Sequence, residues 1–195
     1  MLKITKETLS GGIPVFQSVF ETAQGGFVLD STGLPEGFTI PAGTPISYDE
    51  STRKAKPLIT ATVYETAGGS ATAYKVKKGH AAGFVAGQYV AGSVGGAAYA
   101  ITTIDTSNAN YDVINVGTTL GAIAEGAAIF RSSATGASAG ALMVSPRGLL
   151  YEDTEAEEGI DLAVVIRGTV YARRTPAVVA EVKALIPNII YSQSF

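Results

Sequence analysis

Short apolar runs with a period of two, broken by Gly, Pro or polar clusters, dominate this chain; a helical period occurs once, near the C-terminus. "TPISYD" (44–49) and "KAKPL" (54–58) flank the polar tip "ESTR" (50–53) and predict a β-hairpin. From about Thr60 to Ser145 the runs "AYKVKKG", "GFVAGQYVAG", "AAYAITTID", "YDVINVG" and "AAIFRSS" are rich in Val, Ile and Tyr. Gly-containing turns or polar loops separate them at a spacing that suits a small barrel or sandwich. "SSATGASAGALMVS" (132–145) then reads as a small, polar connector.

The C-terminal part carries the sharpest pattern. "GLLYED" (148–153) runs as a strand into an acidic loop, and "DLAVVIRGTVYARR" (161–174) is the strand leaving it. A helix is predicted next, with Thr175 as N-cap, Pro176 at the first helical position, and Val178, Val179, Val182, Leu185 and Ile186 as its apolar stripe. Pro187 ends it, and "NIIYSQSF" reads as a terminal strand. The first 25 residues hold no sustained period and are broken by "SGGIP" and "AQGG". They read as an extended N-terminal arm, with an ordinary N-terminal strand as the alternative. The pattern thus predicts a mainly β (α+β) chain: an arm at 1–25, an outer unit built from 26–59 and 147–195, and an inserted β-barrel-like module at 60–146.

Composition narrows the function classes. At 195 residues, with 46% hydrophobic residues, the chain is long enough to bury a substantial core. Its 23 glycines suit a fold with many turns. The net charge is −3 and no basic cluster exceeds Arg173–Arg174 or Lys75–Lys78, which argues against a nucleic-acid partner. No run approaches the roughly 20 apolar residues of a membrane-spanning helix, and the N-terminus lacks an apolar core of signal-peptide length. A soluble protein without an export signal is therefore expected. There is no cysteine, so disulfides, thiolate metal sites and a Cys nucleophile are excluded.

Candidate chemistry is sparse. Glu152, Asp153, Glu155, Glu157, Glu158 and Asp161 crowd one stretch. Read as a calcium loop from Asp153, the stretch places Glu158 where Gly is needed and Val164 where the bidentate Glu belongs. The run is expected to be a solvated hairpin tip, with a looser metal site as the alternative; no metal ligand and no cofactor is assigned. "GASAG" (136–140) matches the nucleophile-elbow pattern around Ser138. The flanks are neither strand nor helix in pattern, and the sole histidine, His80, precedes Ser138 instead of following it. No catalytic residue is assigned. With no Cys and no second His, His80 cannot build a usual zinc site and reads as a turn residue. Asn110 and Asp112 in "NANYDVINV" read as turn residues, with a ligand contact as the alternative. Arg167 interrupts "LAVVI" in a strand; it needs a carboxylate, a carbonyl or a partner surface, unless it lies on a polar face.

Two segments are similar to a known family. "AGTPISYDESTRKAKPL" resembles a small-barrel hairpin in which a G-T-x-L strand meets a short polar tip and returns to a Pro-containing end. "GLLYEDTEAEEGIDLAVVIRGTVYARR" resembles a G-I-L-x-E-D strand, an acidic loop and an A-V-V-x-x-R-G-x-V return strand; "PAVVAEVKALIP" and the terminal strand follow in the same order. The family is the lambda-type head decoration proteins of tailed bacteriophages. The resemblance covers Gly26–Leu58 and Arg147–Phe195, about half the chain, and 60–146 departs from the family's compact form.

The resemblance implies a decoration-type β-barrel unit with one C-terminal helix. It also implies a homotrimer on the virion surface, assembled in the host cytoplasm and bound to the major capsid protein through the arm. On this reading Ile4, Phe16 and Phe20 are the expected capsid contacts, and Arg167, Tyr191 and Phe195 the expected subunit-interface residues. A second reading makes the insert a recognition module for a cell-surface glycan or receptor, with Tyr89, Tyr99 and Tyr111 as stacking faces. An enzyme acting through Ser138 ranks below both.

Overall fold

The computed structural model describes residues 14–194. The chain is mainly β with one short helix. Five strands come first: β1 (Phe16–Thr22), β2 (Phe27–Leu29), β3 (Thr39–Ile40), β4 (Pro45–Asp49) and β5 (Lys54–Pro57). Six follow: β6 (Thr60–Thr62), β7 (Ala73–Lys77), β8 (Tyr89–Ala91), β9 (Ala98–Asp105), β10 (Tyr111–Val116) and β11 (Ala128–Ser132). The chain ends with β12 (Gly148–Leu150), β13 (Thr154–Glu155), β14 (Asp161–Leu162), β15 (Val164–Tyr171), helix α1 (Ala180–Leu185) and β16 (Ile189–Ser192).

The largest sheet has eight strands, in the order β1-β15-β12-β4-β5-β2-β14, with β16 added in parallel to β15. At Val164 and Val165 the sheet is covered on both faces, which is why these neighbours in "LAVVI" are both apolar, whereas Ala163 is exposed and Ile166 half-buried. Period-two geometry separates neighbours. Leu150 and Val164 join Phe27, Ile40 and Ile46 in one cluster, while Leu149 and Val165 join Val170, Val182 and Ile186 in the other.

The second sheet, β6-β11-β8-β9-β10-β7, draws all its strands from residues 60–132. It curls until its end strands meet: Val63 bridges Val76, and the Tyr64 amide donates to the Lys75 carbonyl at 2.9 Å. Alternation on β10 puts Ile114 and Val116 inside, against Tyr74, Val76, Val90, Ile101 and Ile129. Tyr74 is buried yet satisfied, its hydroxyl accepting from the Leu120 amide at 2.7 Å and donating to the Ala71 carbonyl at 2.8 Å.

The two sheets are joined by packing as well as by chain crossings. Leu34 and Phe38 pack against both the curled sheet's core and one face of the large sheet. The Gly33 carbonyl accepts from Gln88 Nε2 at 2.7 Å and from the Arg131 guanidinium at 3.1 Å.

Several sequence expectations are corrected. The arm expected over 1–25 is, from Phe16 to Thr22, a strand paired with β15, as the alternative reading had it. The helix does not begin at Pro176. Val179 is its N-cap and only 180–185 are helical. The β-branched pair Val178–Val179 resists helix, and the Ala177 amide is taken by the Thr62 hydroxyl at 3.2 Å across the seam. Thr175 caps nothing; its hydroxyl donates to the Ala172 carbonyl at 3.2 Å. Within the connector, Gly136 and Ala98 exchange backbone hydrogen bonds of 2.8 and 2.9 Å. "GFVAGQYVAG" contributes only the three residues of β8, the remainder being turn.

Candidate functional site

Four of the residues singled out by sequence lie on β15 or on β1 and β16, two of the strands paired with it. Gly168 makes that arrangement fit. A Cβ there would sit 2.7 Å from the Ser18 carbonyl oxygen, so only glycine lets β1 approach while the Gly168 amide donates to the Asn188 carbonyl at 3.2 Å. The β1–β15 register shifts between Val19 and Glu21, and at that irregularity Phe20 stands 67% exposed. The exposed Arg167, on β15 opposite Glu21, lies 5.9 Å from the Phe20 ring centroid. Arg167 is thus on an outward face, and it caps an aromatic ring.

Phe16 behaves differently from Phe20. It packs against the Leu149–Val165–Val182 cluster and lies 5.7 Å from the Tyr151 ring, so it has the local partner the sequence did not reveal. Tyr191 packs on the same cluster with Lys183 Nζ 4.9 Å from its ring centroid. The Tyr191 hydroxyl is buried without a partner, and burial pushes its acidity well below that of an ordinary tyrosine. The neighbouring Ile190 is 61% exposed. The surface flanking β15 therefore carries an exposed Phe, an exposed Ile and an Arg. Ile4 and Phe195 lie outside the described residues.

The acidic run is more ordered than a hairpin tip. β13 pairs with β3 and β14 with β2, so the run is fastened at two points. Asp153 accepts the Ala42 amide at 2.7 Å, and Glu152, Glu155, Glu157, Glu158 and Asp161 are exposed. Among the described residues no group of three or more His, Asp or Glu side chains is placed to hold a metal ion.

Asp112, read from the sequence as a turn residue, lies instead on β10 with its side chain inside. It is 1% exposed; one carboxylate oxygen accepts Lys78 Nζ at 2.9 Å and the other the Gly79 amide at 2.7 Å. This clamps the turn after β7. The signal was present in the alternation of "YDVINV", which puts Asp112 on the same face as Ile114. The clamped turn presents His80, whose Nδ1 accepts the Thr62 amide at 3.3 Å. Burial first and Lys77 second lower the His80 pKa, and Asp112 opposes them. Ser138 is exposed on the segment that follows Gly136, with neither a strand before it nor a helix after it. On the insert, Tyr89 is exposed, Tyr99 packs on the core, and Tyr111 pairs with the exposed Tyr64 at 5.5 Å under Lys75.

Compared with known proteins, the chain matches no family model, no curated protein and no solved structure.

Proposed function

We propose that this protein is a structural head decoration protein of a tailed phage or prophage, acting as a multimer that binds and stiffens the assembled capsid. One observation carries the reading. The two segments that resemble the decoration family are about ninety residues apart in sequence, yet they fold into one sheet, with Leu149 paired to Pro45 on one side and to Val165 on the other. The intervening strands form a sheet of their own, so the insert interrupts the chain without interrupting that sheet.

The contact surface we assign is the flank of β15, where Phe20 and Ile190 expose apolar area that a protein partner would cover. Weak contacts of this kind hold well when many copies bind one shell. Removing all of 1–25 is an unsuitable test, because β1 would be lost with the arm and an edge of β15 uncovered. Phe20→Ser is the cleaner variant. Added to capsids of the virus that encodes it, the wild-type chain is expected to cosediment and Phe20→Ser to lose at least about tenfold in affinity, a change of about 1.4 kcal/mol. Equal binding of the two proteins, both folded by circular dichroism, would defeat this assignment of the surface. No cosedimentation of the wild type would defeat the decoration reading itself.

The exposed Tyr64 and Tyr89 favour a second reading, in which the curled sheet stacks on a sugar. Glycan-array binding abolished by Tyr89→Ala, without capsid binding, would select it.

A further inference from the structure

We propose that the cleft at the seam between the two sheets binds a small ligand through an oxyanion: a carboxylate, phosphate or sulfate group. The cleft has a volume of about 300 Å³ and is assembled from four distant stretches, 38–44, 59–62, 77–80 and 173–176. That volume lies at the lower end of small-molecule sites, roughly 300–1,000 Å³. It holds an oxyanion together with a short portion of whatever carries it.

The lining is cationic. Lys77, Arg173 and Arg174 border the cleft, and no Asp or Glu does. Both arginines are partly engaged within the protein, Arg174 by donating to the Pro14 carbonyl at 2.9 Å and lying over the Tyr171 ring at 4.3 Å. His80 supplies a directed donor. Its Nδ1 accepts the Thr62 amide, so the neutral ring carries its proton on Nε2. The turn that follows Lys77 and bears His80 is held by Asp112, whose two oxygens are occupied by Lys78 and Gly79 and are not part of the lining.

An independent observation comes from β6. Thr60 and Thr62 share one face of that strand and both line the cleft. The Thr62 hydroxyl accepts the Ala177 amide, but the Thr60 hydroxyl is buried with no partner in the protein. A buried hydroxyl left unsatisfied is costly, and an oxyanion would accept its proton. Phe38, Ile59, Pro41 and Pro176 add apolar wall beside Thr39, Thr44 and Thr175; apolar surroundings strengthen charge-assisted hydrogen bonds by lowering the local dielectric. Cations and donors with no Asp or Glu among them, beside an apolar wall, favour an anion over a cation.

The test is an NMR titration of the His80 ring signals with inorganic phosphate at constant pH and ionic strength. Sulfate and acetate are run as parallel arms to show which oxyanion geometry is preferred. Saturable shifts are expected with at least one of the three. For that anion, Thr60→Val and Lys77→Met should each weaken binding about tenfold, whereas Lys183→Met on α1 leaves it unchanged. Thr60→Val keeps the β-branched shape that suits β6, and loss of its orphan hydroxyl should leave the melting temperature of the free protein equal or higher. A stabilised variant that no longer binds separates a ligand contact from a structural role. Shifts that rise linearly with every anion, or equal affinity in wild type and both cleft variants, would overturn the proposal.

Discussion

At the scale of single residues, the polar groups buried in the curled sheet organise one corner of the molecule. Asp112 fastens the turn, the turn carries His80, and the Thr62 amide fixes the imidazole. Because the folded state holds His80 below its ordinary pKa of 6.5, mainly through burial, the unfolded chain binds the proton more readily. Stability linked to His80 is therefore present above about pH 6.5 and is lost as pH falls through the folded-state value. In His80→Gln, the decrease in unfolding free energy between about pH 7 and about pH 5 should be smaller than in the wild type. Urea titrations at several pH values measure that difference; parallel curves would show that His80 does not contribute. Asp112 shows why residue type alone misleads. Asn and Asp are common in turns, but period-two alternation had already turned this carboxylate inward.

At the scale of elements, β1 and α1 show tertiary contacts overriding local preference in opposite directions. β1 has no clean alternation, yet it lies along β15 because Gly168 permits the approach. Gly168→Ala places a methyl 2.7 Å from the Ser18 carbonyl oxygen. The expected cost is about 1–3 kcal/mol, typical of overpacking. The loss should be concentrated in β1: hydrogen exchange of the amides in Phe16–Thr22 should accelerate while those of β10 stay protected. Uniform exchange at both strands would show that β1 is not held by this contact. α1 is shortened to six residues because the backbone just before it serves the seam instead of a helix. In the acidic run, exposure of the carboxylates followed from charge crowding. Its two strand pairings did not, since two-residue strands carry no readable period.

At the scale of the whole molecule, the question is whether the two sheets behave as one body. Phe38 packs against the cores of both, and Gly33 accepts hydrogen bonds from Arg131 on β11 and from Gln88 just before β8. The wild-type chain should therefore unfold in one transition, with near-UV and far-UV circular dichroism coincident. Phe38→Ala removes the shared ring at a cost of about 2–3 kcal/mol, below that of a fully buried Phe because Phe38 is only half-buried. It should also split the two signals. Coincident curves in the variant would mean that the coupling runs through Leu34 and Arg131 instead. The same seam forms the proposed oxyanion cleft, so a saturating ligand should raise the midpoint of the common transition.

Alternation, turn residues and charge crowding in the sequence were enough to establish a mainly β chain, the hairpin of β4 and β5, the strands flanking the acidic run and the exposure of its carboxylates. These are local properties, set by which neighbours are apolar and which can turn. The docking of β1, the capture of the Ala177 amide ahead of α1, the fastening of the acidic run and the gathering of Thr60, Lys77, His80 and Arg173 into one cleft were decided by tertiary structure alone. Each depends on residues far apart in the chain meeting across the folded interior, and no window of sequence contains both partners.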